Sequence, residues 1–474
     1  MVIHLNRQRL WMLVVACCLC GIAASATSRA GDFVPNYDQS KVPDYSLPDV
    51  LAGPKVDGEK GGASASGERA ETPEQWREVR RETLSAFESH VYGRMPAWRH
   101  ITATRVAGPR PRTVDDAQSG VEGEEDSAAM RSEWDVTIRS DAEAAESAGL
   151  TMHVLVDVPA GASPEDPVPA FVGLNFHGNH AVTSDPAVRL PNSWVRDRGR
   201  SVTDGNQPSE RGRGYAADRW PIDRINDRGY AMVTVYYGDI DPDFDDGAEN
   251  GIHGLLADWI ATVPEAEQPG SIAGWAYGLS CVLDFLQQHE ELGIDSERVA
   301  VIGHSRLGKT ALWAGATDPR FAMVVSNESG CGGAALSRRA YGETIKRINT
   351  QFPHWFAKRF HEYGDNESDC PVDQHQLIAL LAPRPLAVGS AEGDRWADPK
   401  GEFLSAVHAS PVYRLLGEPG LQNPAGSPAT QTQWPSPGEA LQSGTISYHL
   451  RPGPHDLTGH DWNRYLDFAD RLLK

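Results

Sequence analysis

The sequence predicts an α/β fold, a mostly parallel sheet with helices on both faces, and three observations carry that prediction. Short apolar runs bounded by Gly, Pro and polar clusters, PAFVGLNF at 169–176, GYAMVTVYYGD at 229–239 and RVAVIGH at 298–304, have the length and β-branched content of buried strands. Longer segments with helical apolar spacing lie between them, notably IAGWAYGLSCVLDFLQQ at 272–288, and that alternation implies right-handed βαβ units. Polar clusters follow the carboxyl ends of the strands, where open α/β sheets place their sites.

The bounds come from composition. The 474 residues carry a formal net charge of −21 and 40% hydrophobic residues, the profile of a large globular protein with ample core. An acidic chain without a basic stripe has no electrostatic footprint for nucleic acid.

Residues 1–26 read as an export signal: Arg7 and Arg9 precede the apolar run 10–24, and Ala24-Ser25-Ala26 is a small-residue cleavage site. The run is shorter than the ~20 residues a membrane span needs, and no later segment could cross a bilayer. The expected location is secreted or periplasmic, with lipid attachment at Cys17 the minor alternative. Removing the signal leaves Cys281, Cys331 and Cys370, of which one pair, such as Cys331 with Cys370, could form a disulfide.

Residues 27–70, rich in Pro, Gly, Ser and Asp, read as a linker or loosely tied arm, and 71–474 as a single catalytic domain. Trp76, Val79, Leu84, Phe87 and Val91 form a helical stripe that Thr72 caps. EWDVTI from Glu133 and LTMHVLVDVP from Leu150 alternate as antiparallel strands, and the acidic stretch 115–129 before them is a surface insertion. His177-Gly178-Asn179-His180 follows the first buried strand, where a loop amide could serve an oxyanion; a plain turn glycine fits equally. The polar excursion 184–225 is long for a connection, and such loops are usually either functional covers or disordered.

Gly303-His304-Ser305-Arg306-Leu307-Gly308 joins the apolar run 299–302 to a helix on which Leu307, Ala311, Leu312 and Ala314 recur. Ser305 therefore sits on a sharp strand-to-helix turn, the arrangement of a nucleophile elbow, although Leu307 replaces the second glycine of the commoner motif. A second copy of the spacing at 62–67 has no strand before it. The next three strands end at Glu328, Asp394 and the Gly453-Pro454-His455-Asp456 loop. A serine hydroxyl needs a base, and the base an orienting carboxylate, so the order Ser305, acid, His455 points to the α/β-hydrolase fold. Either Glu328 or Asp394 could be the acid, and His460 competes with His455.

The motifs GHSRLGK, NESGCGGAALSRR, INTQFPHWF, DQHQLIALLAPRP, EGDRWADP and GPHDLTGHDW, in that order, resemble the bacterial glucuronoyl esterases of carbohydrate esterase family fifteen over 134–474. The resemblance implies hydrolysis of alcohol esters of 4-O-methyl-glucuronic acid, a linkage between glucuronoxylan and lignin, without metal or cofactor. It implies Ser305 as nucleophile, His455 as base and Glu328 as acid, with Asp394 in a shared role. It also implies Arg306 on the oxyanion side and Lys309, Glu343, Trp396 and Gln351 as sugar contacts. His304 stands where fungal members carry a disulfide cysteine. Two other functions fit the same residues: an acetyl-xylan esterase of the same fold, and a non-catalytic glycan-binding protein on a hydrolase scaffold.

Overall fold

The computed structural model describes residues 33–54, 69–112, 129–141, 149–197 and 202–474. The signal at 1–26, the Gly/Ser repeat at 62–67, nearly all of the 115–129 insertion and part of the excursion lie outside them. Residues 35–474 form one compact unit.

Its centre is a ten-stranded sheet built from β1 (His100–Pro111), β2 (Met130–Arg139), β3 (Leu150–Val158), β4 (Val168–Asn175), β5 (Ala231–Tyr236), β6 (Ile294–His304), β7 (Met323–Asn327), β8 (Leu386–Ala391), β9 (Ala440–Leu441) and β10 (Ile446–Arg451). The spatial order is β1-β2-β3-β5-β4-β6-β7-β8-β10-β9. From β5 through β10 the pairing is parallel, while β1 to β3 and the short edge β9 run antiparallel. Strand β1 escapes sequence reading because as an edge strand it is largely exposed and lacks a clean alternation.

Successive residues of the central strands feed opposite faces, as the two-residue pleat requires. Val172, Val233, Val301 and Val324 pack into one apolar cluster with α1 (Pro73–Phe87), α2 (Ser271–Gln288), α3 (Arg306–Thr317) and α4 (Pro399–Leu415). Phe171, Met232, Ile302 and Val325 enter the other, closed by Trp462, Tyr465 and Phe468 of α5 (Gly459–Leu472). A sheet covered on both faces can be apolar throughout its central strands, which is why those strands read as continuous hydrophobic runs.

Two expectations need correction. The 27–70 stretch was expected to be loosely tied, yet its described part from residue 35 to 54 is strapped to the body. Gly342 N donates to Asn36 O at 2.9 Å, Arg338 Nη1 to Ser46 O at 2.8 Å, and Val50 and Leu51 are buried. Cys281, Cys331 and Cys370 are buried free thiols, so the Cys331–Cys370 option is not used. Among the described residues no helix is long and apolar enough to cross a membrane.

Candidate active site

The turn between β6 and α3 holds Ser305 at φ 58° and ψ −126°, a strained conformation for a residue with a side chain. Glycines on either side permit it. A Cβ on Gly303 would lie 1.8 Å from the Leu307 carbonyl oxygen, and one on Gly308 3.0 Å from the Ser329 Cβ. Ser305 N donates to Asn327 O at 2.9 Å, which fixes the turn to the end of β7.

One residue further, Glu328 is itself held at φ 47°, its amide donating to Gly389 O at 2.7 Å. That twist aims its carboxylate along the sheet edge. Oε1 accepts from Arg451 Nη2 at 2.6 Å; Oε2 accepts from Asp456 N at 3.0 Å and lies 3.1 Å from His455 Nδ1. From the end of β8, Asp394 Oδ2 reaches the same His455 Nδ1 at 2.6 Å. Two carboxylates thus share one imidazole nitrogen, leaving the other edge of the ring to the cavity. Burial opposes charge on the imidazole, but the hydrogen bonds and charges of Asp394 and Glu328 prevail and push His455 up to about 9. Burial pushes Glu328 up to about 7, against the pull of His455 and Arg451. The ring of His304 lies 4.5 Å from that of His455, and its Nδ1 is tied to Asn327 Oδ1 at 2.6 Å. The competing His460 does not line the cavity.

That cavity, about 650 Å³, is lined by Ser305, His455, Glu328 and Asp394 together with Arg306, Lys309, Glu343, Gln351 and Trp396. The residues expected as catalytic, oxyanion-side and sugar-contacting groups therefore line one cavity, while His460 and Gly178 do not. Arg306 is buried beneath the rings of Trp355, Phe352 and Phe176, with its guanidinium 4.7 Å from the Trp355 centroid, and pairs with Asp243. Lys309 donates to the Ser329 carbonyl and sits in the field of Glu343; burial lowers its ammonium. Glu343 is raised by burial, against the charge of Lys309 and a hydrogen bond from Trp396. Gln351 is exposed at the rim.

The sequence reading missed Asp243, Arg196, Phe352 and Trp355. Asp243 is fully buried and accepts from Trp355 Nε1 at 2.7 Å, His354 Nε2 at 2.9 Å and Tyr237 Oη at 3.0 Å, and Arg196 lies 3.3 Å away. It stands in a run of acidic residues, DIDPDFDD at 239–246, where nothing local distinguishes it. Phe352 and Trp355 belong to the INTQFPHWF motif and could have been found there. Of the two readings of the loop after β4, the plain turn glycine fits: Gly178 N and His177 N both donate to Asn175 Oδ1, at 2.8 and 3.3 Å, and are not free for an oxyanion. Gly178 is instead required by φ 100° and by Pro191, whose Cγ would lie 2.6 Å from a Cβ.

The family described as "Glucuronyl esterase, fungi" matches residues 261–417. A prokaryotic protein named carbohydrate esterase MZ0003 is 45% identical over 442 residues, 92% of each chain. The chain belongs to the glucuronoyl esterases of carbohydrate esterase family fifteen. Among solved structures, a promiscuous esterase of this family from a marine bacterial metagenome superimposes with a TM-score of 0.77 at 43% identity, over 93% of this chain and all of that one. A glucuronoyl esterase from Solibacter usitatus gives 0.75 at 40% identity, over 91% and 99%. As a member of this family the protein is a carboxylic ester hydrolase with the α/β-hydrolase fold.

In this glucuronoyl esterase family member a second, smaller cleft of about 150 Å³ shares Ser305, Arg306, Arg196 and His455 with the main cavity, and its other walls are Phe176, His177, Arg219, Tyr237 and His304. Arg219 comes from the 184–225 excursion and is held by Asp456 Oδ1 at 2.7 Å; Tyr215, from the same excursion, packs edge-on against His177. The excursion is therefore a wall of the site on this side.

Proposed function

We propose that the protein hydrolyses alcohol esters of 4-O-methyl-glucuronic acid through an acyl-enzyme, as in ester links between glucuronoxylan and lignin. The observation that carries this reading is the clamp on His455 Nδ1 by two carboxylates beside a strained Ser305 in one cavity.

In this reading Ser305 Oγ attacks the ester carbonyl carbon while His455 Nε2 takes its proton. The carboxylates fix the tautomer and stabilise the imidazolium. The C–O bond to the alcohol then breaks as the proton passes to the leaving oxygen. Water attacks the acyl-enzyme, gives a proton to His455, and the Ser305 oxygen departs with that proton, restoring the site. Arg306, desolvated and rigidly caged, supplies positive charge to the tetrahedral oxyanion, where a fixed donor is worth about 2.7–4 kcal/mol. The larger cavity takes the sugar: Lys309 and Glu343 meet hydroxyls and Trp396 the ring. The smaller cleft takes the alcohol. A volume of about 150 Å³ matches a cavity that holds one benzene ring, so a single aryl group is accommodated there. The leader at 1–26 supports export to the periplasm or beyond, and amino-terminal sequencing of the mature protein tests it.

The deciding assay is a panel of methyl and benzyl glucuronates against acetyl and feruloyl esters. Glucuronates are expected to lead; preference for acetyl esters overturns the substrate, in favour of an acetyl-xylan esterase. Ser305→Ala is expected to lower turnover about 10⁵- to 10⁶-fold with the fold intact. Retained activity removes Ser305 from the role, and wild-type protein that binds glycans but resists a serine-directed phosphonate is a binding protein, not an esterase.

A further inference from the structure

We infer that the protein carries a second glycan-binding site, centred on Trp434, which grips the polysaccharide chain at a distance from the ester being cut. The site is built by the long connection between α4 and β10. Residues 416–445 contain no helix and only the two-residue strand β9, yet the segment is well tied, with Asn423 N donating to Ser427 O at 2.8 Å and Ala429 N to Leu421 O at 2.9 Å. A connection this long that is nevertheless ordered is commonly a binding surface.

Trp434 remains 37% exposed, which places it among the few large apolar side chains left in water. Its ring is nevertheless held: Nε1 donates to Tyr448 Oη at 3.3 Å, Tyr448 Oη donates to Pro399 O at 2.8 Å, and Lys400 Nζ lies 6.0 Å from the ring centroid. The ring borders a concavity of about 420 Å³ whose polar lining is Asn423, Gln433, Glu439, Gln442 and Arg464; Glu439 Oε2 accepts from Ser436 N at 2.7 Å and Arg464 Nη2 donates to Gly438 O at 3.2 Å. Gln433 uses its carbonyl on Thr430 N, which leaves its amide hydrogens; Gln442 uses its amide on Arg464 O, which leaves its carbonyl.

A pre-positioned indole bordered by the amide group of Gln433 and the carbonyl of Gln442 matches a pyranose, which presents an apolar C–H face and hydroxyls that both donate and accept. The indole costs little entropy on binding because it is already fixed. The occupant is a neutral pyranose segment of the same chain that carries the uronate ester, so the inference rests on the glycan-ester reading. Its position suits that occupant. Ala440 pairs with His449 near the carboxyl end of β10, the strand that leads to His455, and Lys400 follows Trp396 of the catalytic cavity by four residues.

The test is calorimetric titration of xylohexaose into Ser305→Ala protein, with and without Trp434→Ala. Binding is expected to weaken about tenfold in the double variant, with Trp434→Phe in between, and the KM of the Trp434→Ala enzyme for polymeric glucuronoxylan to rise while kcat and KM for benzyl glucuronate stay unchanged. Unchanged xylohexaose affinity in the double variant, or no binding by Ser305→Ala protein, overturns the site. If Trp434→Ala lowers the melting temperature sharply, Trp434→Phe and Gln442→Ala take its place, and equal affinity in both overturns the site. The esterase reading fails separately, on the wild-type ester panel, so a protein that binds xylohexaose at Trp434 without cleaving glucuronates refutes that reading and leaves this one standing.

Discussion

Asp243 and Glu328 are both buried carboxylates beside guanidinium groups on the same rim, and their carboxyls move in opposite directions. Burial raises each. At Asp243 the charges of Arg306 and Arg196, with donors from His354 and Trp355, overcome it and hold the carboxyl well below its usual range. At Glu328 a single guanidinium, one backbone amide and a shared imidazole do not, and the group is pushed up to about 7. What decides the sign is the number of cationic and N–H donors gathered on the oxygens. Asp243 is thus a permanent anion whose task is to hold Arg306 in place. Glu328 can take up a proton near neutrality, and the shorter contact of Asp394, 2.6 Å against 3.1 Å, carries more of the bond to His455.

The largest effect expected from this contrast is on turnover when both acids go. Removing the orienting carboxylate of a serine triad costs about 10⁴-fold in kcat, and Glu328→Gln with Asp394→Asn should approach that loss. Each single variant should lose much less, because the other carboxylate still holds Nδ1. From the two distances Asp394→Asn should be the worse, the reverse of the order that the family resemblance alone suggests. Steady-state kinetics on benzyl glucuronate measures all three, and a double variant no worse than the single ones would mean the two acids are not alternatives.

Next comes the opposite half. Asp243→Asn keeps the shape but leaves Arg306 and Arg196 buried or half-buried without their anion. Breaking such a buried pair costs about 3–5 kcal/mol of stability, and a displaced oxyanion donor lowers kcat about 10²- to 10³-fold. Chemical denaturation and kcat should fall together; loss of stability with kcat unchanged would show that Arg306 does not act on the oxyanion. The sign with pH follows from the lowered carboxyl. Its contribution is present above the ordinary aspartate range and is lost as the pH falls through the folded value, so the variant's deficit should shrink in strong acid.

How much of this was legible in the sequence divides along the same line. Ser305, Glu328, Asp394 and His455 each follow a strand whose apolar run announces it, so chain order and position at the sheet edge were enough to assemble them. Arg306, Lys309, Glu343, Trp396 and Gln351 came from the family resemblance, and all line the cavity. Asp243 was not legible, because its role is defined mainly by Arg196, Arg306, His354 and Trp355, all remote in sequence, and its acidic neighbours look alike. The strapped arm at 35–54 was hidden for a related reason: its polar composition resembles a linker, and its order comes from Arg338 and other groups of the body that composition does not report.

The smallest effect is a shift of a titration midpoint, and it separates the two acids most sharply. In the free enzyme His455 must be neutral to accept the Ser305 proton, so kcat/KM rises with pH as the imidazolium is lost. Its pKa is pushed up to about 9 with Asp394 and Glu328 both on Nδ1, and Glu328 titrates near it, so the midpoint of that limb belongs to the cluster and not to one residue. Taking away Asp394 removes the first of the two groups that raise His455, while burial, which lowers it, remains. The limb of Asp394→Asn should therefore move to lower pH. Glu328→Gln should move it less, because Glu328 Oε2 lies 3.1 Å from His455 Nδ1 against 2.6 Å for Asp394 Oδ2, and the longer contact supports the imidazolium less. The pH dependence of kcat/KM for benzyl glucuronate measures both shifts. A larger downward shift from Glu328→Gln than from Asp394→Asn would reassign the principal partner of His455 to the earlier strand.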